Sequence, residues 1–243
     1  MDLIIDIGNT RAKAGVFRAG NYIDVIIFDP DDGRALAEMT GRWKVRRMGV
    51  SCVRDEIPAC VRELFEEMEY VLLIDRHTPV PIENAYTTPE TLGSDRLAAV
   101  VGAWAEFAER PCLVIDAGTC ITADLVDEWG VFRGGNISPG IDMRLRAMFE
   151  LTARLPLVEK SQPESVLGRS TAEALNNGAS GGAVFEMSAL CRRLRKTWPD
   201  LQVVVTGGDA DFFDKLTDTS VIRPHLVLTG LEKIVSYNAE QIH

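Results

Sequence analysis

Two short strings in this chain share a pattern that can hold phosphate. Asp6-Ile7-Gly8-Asn9-Thr10-Arg11-Ala12-Lys13 follows the apolar run Leu3-Ile4-Ile5, and Asp116-Ala117-Gly118-Thr119 follows Leu113-Val114-Ile115 about half a chain later. A glycine between two strands lets backbone N–H groups approach a phosphate closely. Asn9, Thr10 and Thr119 add neutral donors. Lys13 adds a point charge suited to a transferring phosphoryl group. Asp6, at a strand end, suits a Mg²⁺ ion shared with phosphate oxygens. One Asp-x-Gly-Asn string is also an ordinary turn; two in matching places favour nucleotide binding. A third glycine turn, Thr206-Gly207-Gly208-Asp209-Ala210, follows the apolar run 202–205. It is expected to open a helix over 209–216, whose first N–H groups can face a nucleotide.

A different chemistry is offered by Gly93-Ser94-Asp95-Arg96, at the start of a helix expected over 94–107. Ser94 is the expected N-cap. Asp95 then sits in the first turn, where the helix dipole favours an ionised carboxylate. Such a group can accept the proton of an attacking hydroxyl. Arg96 has the fork geometry to clamp a carboxylate. A capped helix start with an Asp–Arg surface pair would read the same way by spacing alone.

Elements must hold these residues in place. Each Asp-x-Gly string ends one strand and leads into two more: 12–17 and 22–28 in the first half, 121–126 and 131–137 in the second. Gly20-Asn21 and Trp129-Gly130 stand at the expected hairpin turns. Further strands are expected at 47–52 and 70–74, and helices at 31–39 and 58–68. Residues 78–93, with three prolines, read as loop. In the second half, helices are expected at 140–150 and 171–195, a strand around Leu226, and a helix at 229–240. Val184, Met187, Cys191 and Leu194 form one apolar stripe on the 171–195 helix. A repeat of half the chain length implies duplicated domains. The expected boundary near 109–111 gives domains 1–109 and 110–243, the first with one phosphate hairpin and Asp95, the second with the other hairpin and the nucleotide turn.

Composition narrows the function classes. The chain has 243 residues, 26 Lys+Arg against 36 Asp+Glu, and a formal charge of −10. That field does not attract nucleic acid or an anionic membrane. No stretch approaches the ~20 apolar residues of a membrane span. Asp2 stands where a signal peptide would be basic, so a cytoplasmic location is expected. Five cysteines without CxxC spacing and three histidines suggest no zinc site and no disulfide framework, with most cysteines read as small buried residues. The basic run Arg192-Arg193-Leu194-Arg195-Lys196 complements a helix C-terminus.

The two Asp-x-Gly hairpins and the late Gly-Gly turn resemble the actin/Hsp70/sugar-kinase ATPase superfamily. Within it the chain resembles the type III pantothenate kinases over essentially its whole length. Four more strings support this: Gly93-Ser94-Asp95-Arg96, Gly134-Gly135-Asn136-Ile137-Ser138-Pro139-Gly140, Thr152-Ala153-Arg154-Leu155-Pro156, and Gly168-Arg169-Ser170-Thr171 before Ala174-Leu175-Asn176-Asn177-Gly178.

The resemblance implies an α/β fold of two duplicated actin-like (ribonuclease H-like) domains, with mixed sheets flanked by helices. It implies phosphoryl transfer from ATP to pantothenate, giving 4′-phosphopantothenate on the way to coenzyme A. Asp95 would be the proton acceptor. Tyr86, Gly93, Ser94, Asp95, Arg96 and Thr171 would contact pantothenate. Residues 6–13 and Thr119 would contact ATP. Asp116 would hold a monovalent cation, K⁺ or NH₄⁺, and Asp6 would support Mg²⁺ through the phosphates. The family also implies a homodimer, expected through helices of the second domain. Arg11, Cys120 and Ser170 depart from the family pattern. Two rival readings stay open: another small-molecule kinase of the superfamily, and a non-enzymatic transcription accessory factor.

Overall fold

Apolar runs separated by glycine turns become the first three strands, β1 (Asp2–Ile7), β2 (Ala12–Arg18) and β3 (Asn21–Phe28). The computed structural model describes residues 1–8, 11–214 and 216–241. Leu3, Ile4, Ile5 and Ile7 are fully buried, which is why β1 reads as an unbroken apolar run. The β2–β3 turn falls on Ala19 and Gly20, both at positive φ, as the tight turn of a right-twisted hairpin requires. Helix α1 (Arg34–Arg42) begins three residues later than its acidic start suggested. Asp29 accepts the N–H of Asp31 at 2.9 Å and Asp32 that of Arg34 at 3.2 Å, so these side chains form turns before the helix begins. Strand β4 (Arg47–Cys52) follows. Residues 58–68 give a short α2 (Ala59–Arg62) and a 3₁₀ segment, Glu63–Glu67. After β5 (Tyr70–Ile74), the proline-rich stretch holds a two-residue strand, β6 (Glu83–Asn84), and a 3₁₀ turn, Pro89–Thr91. It leads into α3 (Ser94–Glu106). The sheet order is β3-β2-β1-β4-β5. β1 runs antiparallel to β2, and β4 and β5 run parallel to β1.

The second half repeats this plan with β7 (Cys112–Ala117), β8 (Cys120–Val126), β9 (Val131–Pro139), α4 (Ile141–Glu150), α5 (Thr171–Asn176), α6 (Gly182–Leu194), β10 (Gln202–Thr206) and β11 (Ser220–Ile222). The order β9-β8-β7-β10-β11 matches that of the first sheet strand for strand. β6 pairs with the first two residues of β9. The expected 171–195 helix is α5 and α6 joined by a π-helical turn, Asn177–Gly181. Met187 and Cys191 of its apolar stripe are buried, and Val184 and Leu194 pack on the same core. The expected 209–216 helix is only a 3₁₀ segment, Ala210–Phe213, and residue 215 lies outside the described residues.

Leu226 starts a helix rather than sitting in a strand. Pro224 ends the strand region, His225 turns the chain in the left-handed conformation, and α7 (Leu226–Glu240) follows. The chain divides into two units: Met1–Ala108 with Gly130–Phe132 and the segment from His225 onward, and Glu109–Trp129 with Arg133–Pro224. The expected 110–243 domain therefore loses its last helix to the first unit. Two glycines explain the packing of α7 on α3. A Cβ on Gly230 would lie 1.7 Å from the Ala98 carbonyl oxygen, and one on Gly102 would lie 2.9 Å from that of Leu226. The helices approach at backbone distance, and only glycine allows that. A polar chain pins the other side of α7. Asp2 and Arg47 pair bidentately at 2.6 and 2.7 Å, Arg47 reaches Ser236 at 3.3 Å, and Ser236 donates to buried Glu232 at 2.9 Å.

Candidate active site

In the first unit, the hairpin between β1 and β2 is closed by Gly8 N–H donating to the Arg11 carbonyl at 3.0 Å. Asn9 and Thr10 lie outside the described residues. Ile7 and Ala12 are wholly buried, so they can offer a ligand only backbone groups. Arg11 is exposed, and Asp6 and Lys13 are half-buried. Asp6 stands beside Lys13 on β2 and beside Ser51 on β4. His225 lies within the influence of Lys13: burial first, then the Lys13 charge, holds its imidazole below the ordinary histidine range.

The tip of α3 carries the second group of candidates. Gly93 is the N-cap, and Ser94, expected there, is the first helical residue. The Ser94 hydroxyl instead lies 3.0 Å from that of Ser51, which is fully buried. This hydrogen bond joins the strand beside Asp6 to the helix that begins at Ser94. Asp95 is exposed and accepts the Arg96 N–H at 2.8 Å. Its carboxylate folds back over Gly93, where a Cβ would lie 2.3 Å from Oδ1. Arg96 is 7% exposed, so the Asp–Arg pair is not a surface pair. Its guanidinium carbon lies 5.6 Å from the centroid of the Tyr86 ring, which stacks on Phe132 at 5.8 Å. The Tyr86 backbone N–H is fixed in turn by the Asn84 side chain at 3.0 Å. An arginine seated on an aromatic face keeps its planar fork aligned for an anion.

In the second unit, the hairpin between β7 and β8 is shorter. Gly118 N–H donates to the Cys120 carbonyl at 2.9 Å. Asp116 is half-buried, beside Thr122 on β8 and Thr206 on β10. Gly207, at φ +97°, lies against it: a Cβ there would fall 2.5 Å from Asp116 Oδ1 and 2.2 Å from the Ala117 carbonyl oxygen. Asp209 N–H donates to that same carbonyl at 2.9 Å, and Gly140 N–H donates to the Thr119 carbonyl at 3.1 Å. Thr119 and Cys120 are exposed. Cys112 and Cys191 are buried, whereas Cys52 and Cys60 are only partly so; most of the cysteines are therefore not core residues. Thr171 is exposed at the first residue of α5, behind a Ser170 cap that accepts the Glu173 N–H at 3.2 Å. Its neighbours Arg169 and Glu173 line a polar cleft of about 510 Å³.

The structure thus gathers Asp6, Lys13 and Ser51 at paired positions of β1, β2 and β4, joins Ser51 to Ser94 at the start of α3, and seats Arg96 on Tyr86. It gathers Asp116 and Thr119 with the 207–209 turn and Gly140. Sequence reasoning missed Ser51; a lone serine ending an apolar strand was its only signal. Among the described residues no group of three or more His, Cys, Asp or Glu could hold a metal ion. Asp6, a half-buried carboxylate at the end of β1, is of the kind that supports Mg²⁺ shared with substrate phosphates. The Asp116 carboxylate and the Ala117 carbonyl meet in a cradle lined by Gly207. No described helix is long and apolar enough to cross a membrane.

The chain is 41% identical over 243 residues to a type III pantothenate kinase of Bacteroides fragilis, covering all of both chains. It is 37% identical to one of Porphyromonas gingivalis, covering 98% of each. Among solved structures it resembles a Baf family transcriptional activator from Campylobacter jejuni, with a TM-score of 0.60 at 21% identity over 98% of this chain and 99% of the other. It also resembles an N-acetylmannosamine kinase from Listeria monocytogenes, with a TM-score of 0.54 at 18% identity over 100% and 99%. At those identities the structural likeness speaks for the actin-like sugar-kinase fold alone. The type III pantothenate kinase profile matches residues 2–193; with the full-length relatives, it shows that the chain belongs to the type III pantothenate kinase family.

Proposed function

We propose that this chain phosphorylates pantothenate at the expense of ATP and a divalent metal, giving 4′-phosphopantothenate, the first step toward coenzyme A. The observation that carries this reading is the α3 tip. Asp95 presents an exposed carboxylate beside Arg96, and the Arg96 guanidinium is seated on Tyr86.

Each residue then has a task. Arg96 holds the carboxylate of pantothenate. Asp95 orients the attacking hydroxyl and takes its proton. Because bonding to the incoming oxygen is limited in a loose phosphoryl-transfer transition state, orientation matters more than base strength. Each hairpin by itself offers backbone N–H groups to phosphate, with Lys13 adding charge at the first and Thr119 a hydroxyl at the second. Asp6 would support a bound Mg²⁺, which would supply positive charge against that of the phosphates. A K⁺ or NH₄⁺ ion is assigned to the Asp116 cradle. Catalysis on this scheme is mainly positioning and charge stabilisation.

The protein acts as a homodimer through its second unit. Phe149, Leu151, Val166, Leu167 and Phe185 are all exposed there, Leu151 at 83%, and a second copy would cover them. Thr171 belongs to that same unit and contacts pantothenate.

The test is ATP-dependent phosphorylation of pantothenate with Mg²⁺, in K⁺ and in Na⁺ buffer. Turnover in K⁺ with a large loss in Na⁺ is expected. No turnover by folded protein in either buffer would overturn the reading, and equal turnover in both would remove the cation from Asp116. Light scattering of Phe185→Glu checks the dimer: the expected result is a monomer, and an unchanged dimer would move the interface elsewhere.

A further inference from the structure

Lys160 lies outside every motif described above, in the irregular segment between α4 and α5. Its ammonium makes two ion pairs of 2.6 Å each, one with Asp142 Oδ2 and one with Asp209 Oδ1. Partial burial works against the charge, yet the two carboxylates hold the ammonium above the ordinary lysine range. The partners differ in setting. Asp142 stands in the first turn of α4 and is largely exposed, whereas Asp209 is buried at 8% exposure in the glycine turn after β10.

Both partners belong to elements that touch the second phosphate hairpin. The α4 start presses on it through Gly140: its N–H donates to the Thr119 carbonyl, and a Cβ there would lie 2.1 Å from the Gly118 carbonyl oxygen. The 207–209 turn presses on it from the β10 side. Asp209 N–H donates to the Ala117 carbonyl, and Gly207 packs against Asp116 Oδ1. The segment that carries Lys160 is itself strapped down. Buried Asn176 of α5 accepts the Ser161 N–H at 2.8 Å and donates to the Glu159 carbonyl at 3.1 Å, so it holds the residues on either side of Lys160. Gln162 donates to the Asp211 carbonyl at 3.0 Å. A surface lysine with a long free stem needs none of this; an ammonium that must stay at one point does.

We propose that Lys160 is a positioning residue for the nucleotide: it buckles the first turn of α4 to the 207–209 turn and so fixes the 116–119 hairpin between them. It acts through Asp209 and touches no reacting atom. This rests on the reading of the chain as an ATP-dependent kinase and adds to it a third support for the second hairpin. The strap through Asn176 also links that support to α5, the helix that begins at Thr171.

The test uses full-length Lys160→Ala, Lys160→Arg and Asp209→Asn proteins and the Lys160→Ala/Asp209→Asn double variant. Nucleotide binding is read by calorimetry with AMP-PNP and Mg²⁺, which needs no acceptor, and turnover is measured alongside it. In Lys160→Ala the Kd for AMP-PNP and the KM for ATP should rise about tenfold or more, the scale on which misplaced positioning groups act. The KM for pantothenate should change much less. Lys160→Arg should restore most of the binding, and the double variant should bind no worse than the weaker single variant, because the two side chains act as one unit. Thermal midpoints within a few degrees of the unaltered protein separate this effect from misfolding. Unaltered AMP-PNP binding in Lys160→Ala would overturn the proposal. So would a fall in kcat at constant KM for ATP, since that would place Lys160 on the transferring phosphoryl group. If instead the unaltered protein fails to phosphorylate pantothenate while Lys160→Ala still weakens AMP-PNP binding, the acceptor assignment fails and the buckle stands.

Discussion

The two halves are built on one plan and finish it differently. In each, an aspartate stands one residue before the end of the first strand, and the sheet orders match. The first hairpin spans four residues, 8–11, and is closed by a Gly8–Arg11 hydrogen bond. The second spans two, 118–119, and is gripped by Gly140 on one side and by Gly207 and Asp209 on the other. A longer loop offers more side-chain donors, and a shorter one offers backbone at fixed positions. The two scaffolds match; what differs is the length of the turn. On this account the second hairpin is a phosphate support braced on both sides.

Glycine substitutions are the sharpest way to break that contrast. Gly140→Ala places a methyl group against the backbone of the second hairpin. Neither partner can move aside, so a loss of about 3 kcal/mol is expected, at the upper end for overpacking, read from the denaturant midpoint. Gly8→Ala meets the Arg11 carbonyl, also backbone, but only at 2.9 Å. It should cost about 1 kcal/mol, the low end for overpacking, while raising the KM for ATP. Equal losses in both would erase the distinction between the hairpins.

Gly93→Ala sharpens the comparison at the α3 tip. The added methyl meets only the movable end of Asp95, and the Gly93 backbone, at φ −62° and ψ 134°, suits alanine. The fold should hold while kcat drops about tenfold to a hundredfold as the carboxylate is pushed aside. Unchanged kcat would mean that the folded-back position of Asp95 has no part in turnover.

The smallest effect is a labelling pattern. Burial pushes the Cys191 thiol up to about 11 and raises that of Cys60, while Cys120 is exposed beside Thr119. Thiolate is the reactive form, so at pH 8 iodoacetamide should modify Cys120 first and Cys191 last. Mg²⁺ and ATP should slow Cys120 and leave Cys60 unaffected. Protection of Cys60 instead would move the nucleotide away from the second hairpin.

Local patterns were readable in the sequence, and distant approaches were not. Asp6, Asp116 and the 93–96 string announce themselves because their chemistry is written in neighbouring residues. Ser51 acquires meaning only when parallel pairing sets it beside Asp6. Lys160 acquires it only when Asp142 and Asp209, far apart in the chain, meet the same ammonium. The return of α7 to the first unit depends on Gly102 and Gly230 facing each other, and neither glycine signals its partner. The helix expected at 209–216 shrank to a 3₁₀ turn, and the expected cap at Ser94 gave way to a hydroxyl pair with Ser51. In both places tertiary contacts took groups that local spacing had assigned to the helix.

The central claim is that one helix tip divides the work: Asp95 serves the reaction and Arg96 serves binding. The direct measurement is pantothenate affinity by calorimetry together with turnover, for Asp95→Asn and Arg96→Gln. Asp95→Asn should bind pantothenate nearly as well as the unaltered protein while kcat falls by about 10²–10⁴-fold, the range for loss of a general base. Arg96→Gln should lose affinity far more than turnover at saturation. Loss of pantothenate affinity in Asp95→Asn with kcat preserved would contradict it.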